Sequence, residues 1–187
     1  MAEVFVITTG GTIGGLAVED VRRQPKIKDI PVGRDIVREA LESEFWDWDT
    51  RCEAMEHRDS NHIDDAYREK LAEMIVLAPE KRVLVTHGTD TVLETADFLF
   101  RRDLRKSVIV TGAKVPLANG KESDGFRNIA YALACLRKAT DTGKVGIVLC
   151  GYDSAKEWRP HLYLYEPERY ARYIHPTDDR FCGIVVR

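Results

Sequence analysis

No apolar run in the 187-residue sequence approaches the ~18–20 residues needed to cross a bilayer. Nor is there a basic excess: 28 Lys and Arg stand against 31 Asp and Glu, a net charge of -3. That balance excludes a nucleic-acid binder working through a broad positive field. The N-terminus lacks the basic region, longer apolar stretch and cleavage site of a signal peptide, since Met1-Ala2-Glu3 leads straight into Val4-Phe5-Val6-Ile7. The four cysteines, Cys52, Cys135, Cys150 and Cys182, never fall at CxxC spacing, so neither a zinc ribbon nor a thioredoxin-type site is expected. Scattered thiols without an export signal point to a reducing cytosol and to buried structural roles. His57 and His62 are five apart and share no helical face, and His87 has no HExxH partner, so no metal is assigned to them. Repeats and low-complexity segments are absent as well.

Material for a core is plentiful. Hydrophobic residues make up 44% and charged residues 32%, enough to bury an interior and too apolar for a disordered tail. The length suits one domain over residues 1–187.

Periodicity alternates short apolar runs with amphipathic helices. Strands are expected at residues 4–8, 83–86, 108–111 and 145–150, with a weaker one at 50–55 where charged and small residues alternate. Helices are expected at 33–42, from a cap at Ser60 or Asn61 to Pro79, at 91–100, and from Ser123 or Asp124 onward through Leu136. Pro25 and Pro31 mark an irregular loop. After Gly151 the pattern breaks down, with one further strand expected at 182–186. Beta–alpha alternation with apolar strands predicts a three-layer flavodoxin-like α/β fold, a parallel sheet with helices on both faces.

In such sheets ligands bind beyond the carboxyl ends of the strands, and polar residues collect there. Strand one is followed by Thr8-Thr9-Gly10-Gly11-Thr12-Ile13-Gly14-Gly15, strand two by His57-Arg58-Asp59-Ser60-Asn61, and strand three by His87-Gly88-Thr89-Asp90-Thr91. Gly112-Ala113-Lys114 follows strand four, and Gly151-Tyr152-Asp153-Ser154-Ala155-Lys156 follows strand five. The glycine stretch fails as a dinucleotide fingerprint, because Thr12 stands at the middle glycine counted from Gly10. It fails as a P-loop too, because Leu16 and Ala17 follow Gly15. Two readings of it remain: a backbone that exposes Thr12 and offers N–H groups to an oxyanion, or a tight turn with Thr12 merely exposed. Thr89 or Asp90 can cap the helix that follows, with Glu94 at box-like spacing, or can do chemistry. A threonine nucleophile needs a base or charge network; Lys156 with Asp90 would supply one, although a solvated loop lysine is the commoner fate.

At these residues the sequence resembles the bacterial-type L-asparaginase/glutaminase family. Its signature stretches stand as Thr9-Gly10-Gly11-Thr12-Ile13-Gly14-Gly15 and His87-Gly88-Thr89-Asp90-Thr91-Val92-Leu93-Glu94-Thr95-Ala96. Asp59-Ser60, Thr111-Gly112-Ala113, Ser123-Asp124-Gly125 and Asn128 add to the likeness, which covers about residues 4–156. The resemblance implies hydrolysis of the side-chain amide of L-asparagine, with glutamine as a side substrate, through a Thr12 acyl-enzyme. It implies a second triad of Thr89, Asp90 and Lys156. Ser60 and Asp90 would hold the substrate's α-carboxylate and α-amine, Asn61 would add a polar contact, and Ala113 would meet the amide. Backbone at Gly11, Gly88 and Thr89 would stabilise the oxyanion. No metal or organic cofactor is implied. A homo-oligomer, a dimer by preference, follows from the family's habit of assembly, whereas a non-catalytic module binding a small amino acid or amide is the alternative.

The sequence departs from the family in three places. Residues 13–33 hold no tyrosine where the family carries one to assist the nucleophile, and Ile30 takes the best-aligned position. The likeness is to the N-terminal domain alone. Finally, Val115-Pro116 stands for the family's Arg-Pro, and Lys114 competes with Lys156 as the triad lysine. Residues 156–187, rich in Tyr and including Trp158, read as a cap over the sheet edge or a dimer surface.

Overall fold

A computed structural model describes residues 2–15, 35–139, 143–152 and 158–164. Six strands form one sheet: β1 Val4–Gly10, β2 Thr50–Arg58, β3 Arg82–Thr86, β4 Ser107–Thr111, β5 Val145–Tyr152 and β6 Trp158–Leu164. Their order is β2-β1-β3-β4-β5-β6. The first five run parallel, in the spatial order 2-1-3-4-5 expected of a flavodoxin-like sheet. β6 pairs antiparallel with β5, from Tyr152↔Trp158 to Gly146↔Leu164, so the sheet is mixed rather than wholly parallel.

Why the central strands form follows from their composition. β1, β3, β4 and β5 are runs of β-branched and aliphatic residues, and β1 and β4 are buried along their whole length. Both faces are covered. Phe5, Ile7, Val83, Val85, Val108 and Val110 pack against Leu71, Ile75, Val92, Ala96 and Leu99 of two helices, α2 Asp65–Leu77 and α3 Val92–Phe100. Val4, Val6, Leu84 and Ile109 point the other way, against Val37, Leu41, Ile129 and Leu133 of α1 Ile36–Glu44 and α4 Gly125–Lys138. Alternate side chains of each strand thus feed two separate cores.

Helix starts differ from expectation in instructive ways. Ser60 and Asn61 do not cap α2: they form a single 3-10 turn, Ser60–His62, and Asp64 caps α2 through its side chain, bonded to Tyr67 N–H. α1 begins at Ile36, capped by Asp35, whose side chain accepts from Arg38 N–H. Neither Thr89 nor Asp90 caps α3; Thr91 takes that position without a side-chain cap bond. Asp124 stands at the N-cap of α4, but its carboxylate accepts from Lys114 N–H and Val115 N–H instead, at 3.0 Å each. Each change frees or redirects a polar side chain at the rim where the site lies. At the far end of α2, buried Lys106 donates to the carbonyls of Ile75 and Ala78 and closes the helix C-terminus.

The expected strand at 182–186, Cys182, and the Tyr-rich stretch beyond residue 164 lie outside the described residues, as do Pro25, Pro31 and Ile30. Among the described residues no helix is long and apolar enough to cross a membrane.

Candidate active site

The three parallel strands at the centre end in register: Thr8 pairs with Thr86, and Thr86 with Thr111. Beyond this row the chain turns into loops, and small residues let those loops touch. Gly11 has φ 76° and ψ -179°, a conformation open essentially to glycine. A Cβ there would lie 2.4 Å from Gly88 N and 2.5 Å from Gly88 Cα. One on Gly88 would in turn meet Ser60 Oγ at 2.6 Å. The loop after β1 therefore meets the loops after β2 and β3 backbone to backbone, at Gly10 and Gly11, while Gly88 packs directly on the Ser60 side chain.

Hydrogen bonds fasten the same junction. Gly11 N–H donates to Arg58 carbonyl at 3.1 Å, and Thr91 Oγ1 donates to Ser60 carbonyl at 2.7 Å. Asn61 Nδ2 donates to Asp90 Oδ2 at 2.8 Å and to Asp59 Oδ1 at 3.1 Å. Asp90 is thus held by the loop after β2. The loop after β4 joins through Gly112, where a Cβ would lie 3.1 Å from Thr89 Cγ2. Its carbonyl accepts from Asn128 Nδ2 at 2.9 Å.

Of the residues singled out in sequence, the structure brings Gly11, Gly88 and Ser60 against one another, sets Thr89 beside Gly112, and links Asn61 to Asp90. Gly11, Ser60, Gly88 and Ala113 are buried, whereas Thr12, Thr89 and Asp90 are half-buried and Asn61 is exposed. Buried backbone with accessible hydroxyls and a carboxylate suits a small polar ligand. Lys156 lies outside the described residues. Lys114, its competitor, is exposed and places Nζ over the Trp158 ring, 5.0 Å from its centroid. Sequence reasoning missed the Thr91–Ser60 and Asn61–Asp90 bonds, because both join residues about thirty apart in sequence across two loops.

His87 sits beneath the site, fully buried. Nδ1–H donates to Gly88 carbonyl at 2.7 Å, and Nε2 accepts from Thr95 Oγ1 at 2.9 Å. Thr95 Oγ1 in turn accepts from Arg68 Nε at 3.1 Å. Burial, above all, pushes the His87 pKa down to about 4, with nearby Arg68 adding to the fall against the opposing Gly88 bond. The imidazole is therefore neutral when folded, while in the unfolded chain it titrates near 6.5. Between those two values only the unfolded state takes up the proton, so stability is full above about pH 6.5 and lost as pH falls towards 4. The expected loss is roughly 2 kcal/mol by pH 5 and about 3 kcal/mol below pH 4. Urea unfolding of the wild type and His87→Gln at pH 7 and 5 checks this: the variant's pH slope should be shallower by that amount.

Cysteine chemistry has little support here. Burial pushes the Cys52 and Cys150 thiols up to about 12, which leaves them protonated and inert at neutral pH. Among the described residues, no group of three or more His, Cys, Asp or Glu is placed to hold a metal ion.

A family model described as asparaginase, N-terminal, matches residues 3–154. No curated protein matches the sequence. Among solved structures, L-asparaginase I from Vibrio cholerae O1 biovar eltor aligns at 25% identity with a TM-score of 0.63, over 77% of this chain and 44% of its own. A probable cytoplasmic L-asparaginase from Campylobacter jejuni gives 26% and 0.62, over 79% and 45%. The thermostable L-asparaginase from Thermococcus kodakarensis, at 23% and 0.60 over 76% and 43%, shares the fold. The matched part spans less than half the length of these structures.

Proposed function

Because the chain belongs to the asparaginase family, through its N-terminal domain, we propose that it is an amidohydrolase that converts L-asparagine to L-aspartate and ammonia. The observation that carries this reading is the seam at the ends of β1, β2 and β3, where Gly11 lies against Gly88, Gly88 lies against Ser60, and Asn61 bonds Asp90.

In the proposed reaction Thr12 Oγ1 attacks the amide carbon and its proton passes to a base. The tetrahedral oxyanion that forms would be held by backbone N–H groups at Thr89 and beside Gly11, whose own N–H is given to the Arg58 carbonyl. Such donors are fixed before the reaction and need not reorganise, which is where most of their catalytic value comes from. The C–N bond then breaks, ammonia leaves with the proton, and water cleaves the threonyl ester to release aspartate. Thr89, Asp90 and Lys156 would move the proton. Ser60 and Asp90 would take the α-carboxylate and α-amine, Asn61 would steady Asp90, and Ala113 would lie along the amide. Asparagine and glutamine differ by one methylene, worth about 1–3 kcal/mol of discrimination in such a pocket.

Ammonia release from L-asparagine and L-glutamine at neutral pH tests the reading. Release from asparagine is the expected result, with glutamine slower. Silence with both amides, together with aspartate binding by calorimetry, would overturn it in favour of a non-catalytic module that holds a small amino acid.

A further inference from the structure

Under the Gly10–Thr12 turn lies a side-chain cluster that this chemistry does not use. β1 and β2 slip out of register there: between the pairs Thr8↔Ala54 and Gly10↔Arg58, β1 advances two residues and β2 four. Extra residues of this kind bend a strand and re-aim its side chains. Tyr67 Oη pins the bulge from the α2 side, donating to Glu56 carbonyl at 2.7 Å. On the α1 side, His57 Nε2 comes to 3.2 Å from Thr8 Oγ1.

Thr8 is 1% exposed. Its hydroxyl donates to Asp35 Oδ2 at 3.1 Å, and Asp35 Oδ1 accepts from Arg38 N–H at 3.1 Å to start α1. A hydroxyl whose one proton is given to a carboxylate can only accept from the imidazole, so His57 Nε2 carries its hydrogen. One buried side chain thus ties β1 both to the bulge of β2 and to the first turn of α1. The same two elements support the turn itself. Arg58, next to His57, accepts from Gly11 N–H, and Gly14 faces Val37 of α1.

We infer that Thr8 is a positioning residue, whose two hydrogen bonds, to His57 and Asp35, hold the Gly10–Thr12 turn in the geometry that presents Thr12. The inference rests on the amidohydrolase reading for its kinetic consequence, but the geometry of the turn can be read without it. Thr8→Val keeps the shape and removes both bonds. The partners left behind, His57 and Asp35, are half-buried, so water can satisfy them and the fold should survive.

The experiment measures kcat and KM for L-asparagine and the amide resonances of residues 10–12 in the wild type, Thr8→Val and Thr8→Ser. Thr8→Val should lower kcat about 10-fold with KM changed less than about 3-fold, since a nucleophile displaced by a fraction of an ångström loses rate more than binding. The resonances of Gly10, Gly11 and Thr12 should shift with it, and Thr8→Ser should restore both. Wild-type kcat with unmoved resonances in Thr8→Val overturns the inference, and so does a loss that serine does not restore. Should the wild type release no ammonia, the amidohydrolase reading fails, and the resonances alone decide whether Thr8 positions the turn. Should Thr8→Val fail to fold, His57→Ala on the half-buried edge replaces it: shifted turn resonances are expected, and unmoved ones overturn the inference.

Discussion

Thr12→Val should abolish turnover while leaving the fold untouched. The substitution keeps the β-branched shape and removes the hydroxyl. Thr12 is half-buried, so the stability change should stay within about 0.5 kcal/mol. If Thr12 is the nucleophile, as proposed, no neighbouring group replaces its hydroxyl, and the expected fall in kcat is on the order of 10^4-fold or more. Ammonia release with a thermal melt run alongside checks both halves. A variant that retains a tenth of wild-type activity would show that another group attacks the amide, Thr89 being the next to test. Thr89→Val is expected to lose activity as well, since it would break the second proton path without touching the first hydroxyl.

Gly11→Ala should damage both stability and rate. Its φ of 76° with extended ψ costs a non-glycine residue on the order of 3 kcal/mol. The added Cβ at 2.4 Å from Gly88 N would also force the loops after β1 and β3 apart by about 1 Å, a displacement able to cost ~100-fold in rate. Gly14→Ala is the matched control, because its Cβ would meet only Val37 Cγ2, at 3.9 Å. Urea unfolding and kcat for both variants separate the two positions. Equal tolerance at Gly11 and Gly14 would mean that the seam between the loops is softer than its geometry implies.

Much of this arrangement is legible in the sequence, and the gaps have physical causes. β1, β3, β4 and β5 declare themselves because both faces are buried and their residues are apolar in succession. β6 does not: Arg159, Pro160 and His161 interrupt Trp158–Leu164, and proline is tolerated there because the strand has β5 on one side and is, among the described residues, the last of the sheet. β2 extends to Arg58 rather than stopping near Met55, because the bulge carries it past the point where its alternation fades. The caps were misplaced for another reason. Ser60, Asn61, Thr89 and Asp90 are all good capping types, but contacts between loops that sequence spacing does not record decide which one caps. The glycines of the site were legible as flexible points. Their closeness to one another was not, since it depends on β1 lying between β2 and β3.

The exposed side of β2 bears on how copies of the chain can meet. Among the described residues β2 is a terminal strand of the sheet, and an open strand is ordinarily a template for a second copy. Here it is studded with ion pairs, Arg51 with Glu53 and Arg58 with Glu56, and broken by its bulge. Charge and irregular spacing both spoil the ladder a second sheet would need. Continuous sheets built across this edge are therefore discouraged, and the features that aim His57 at Thr8 also act as a guard against aggregation.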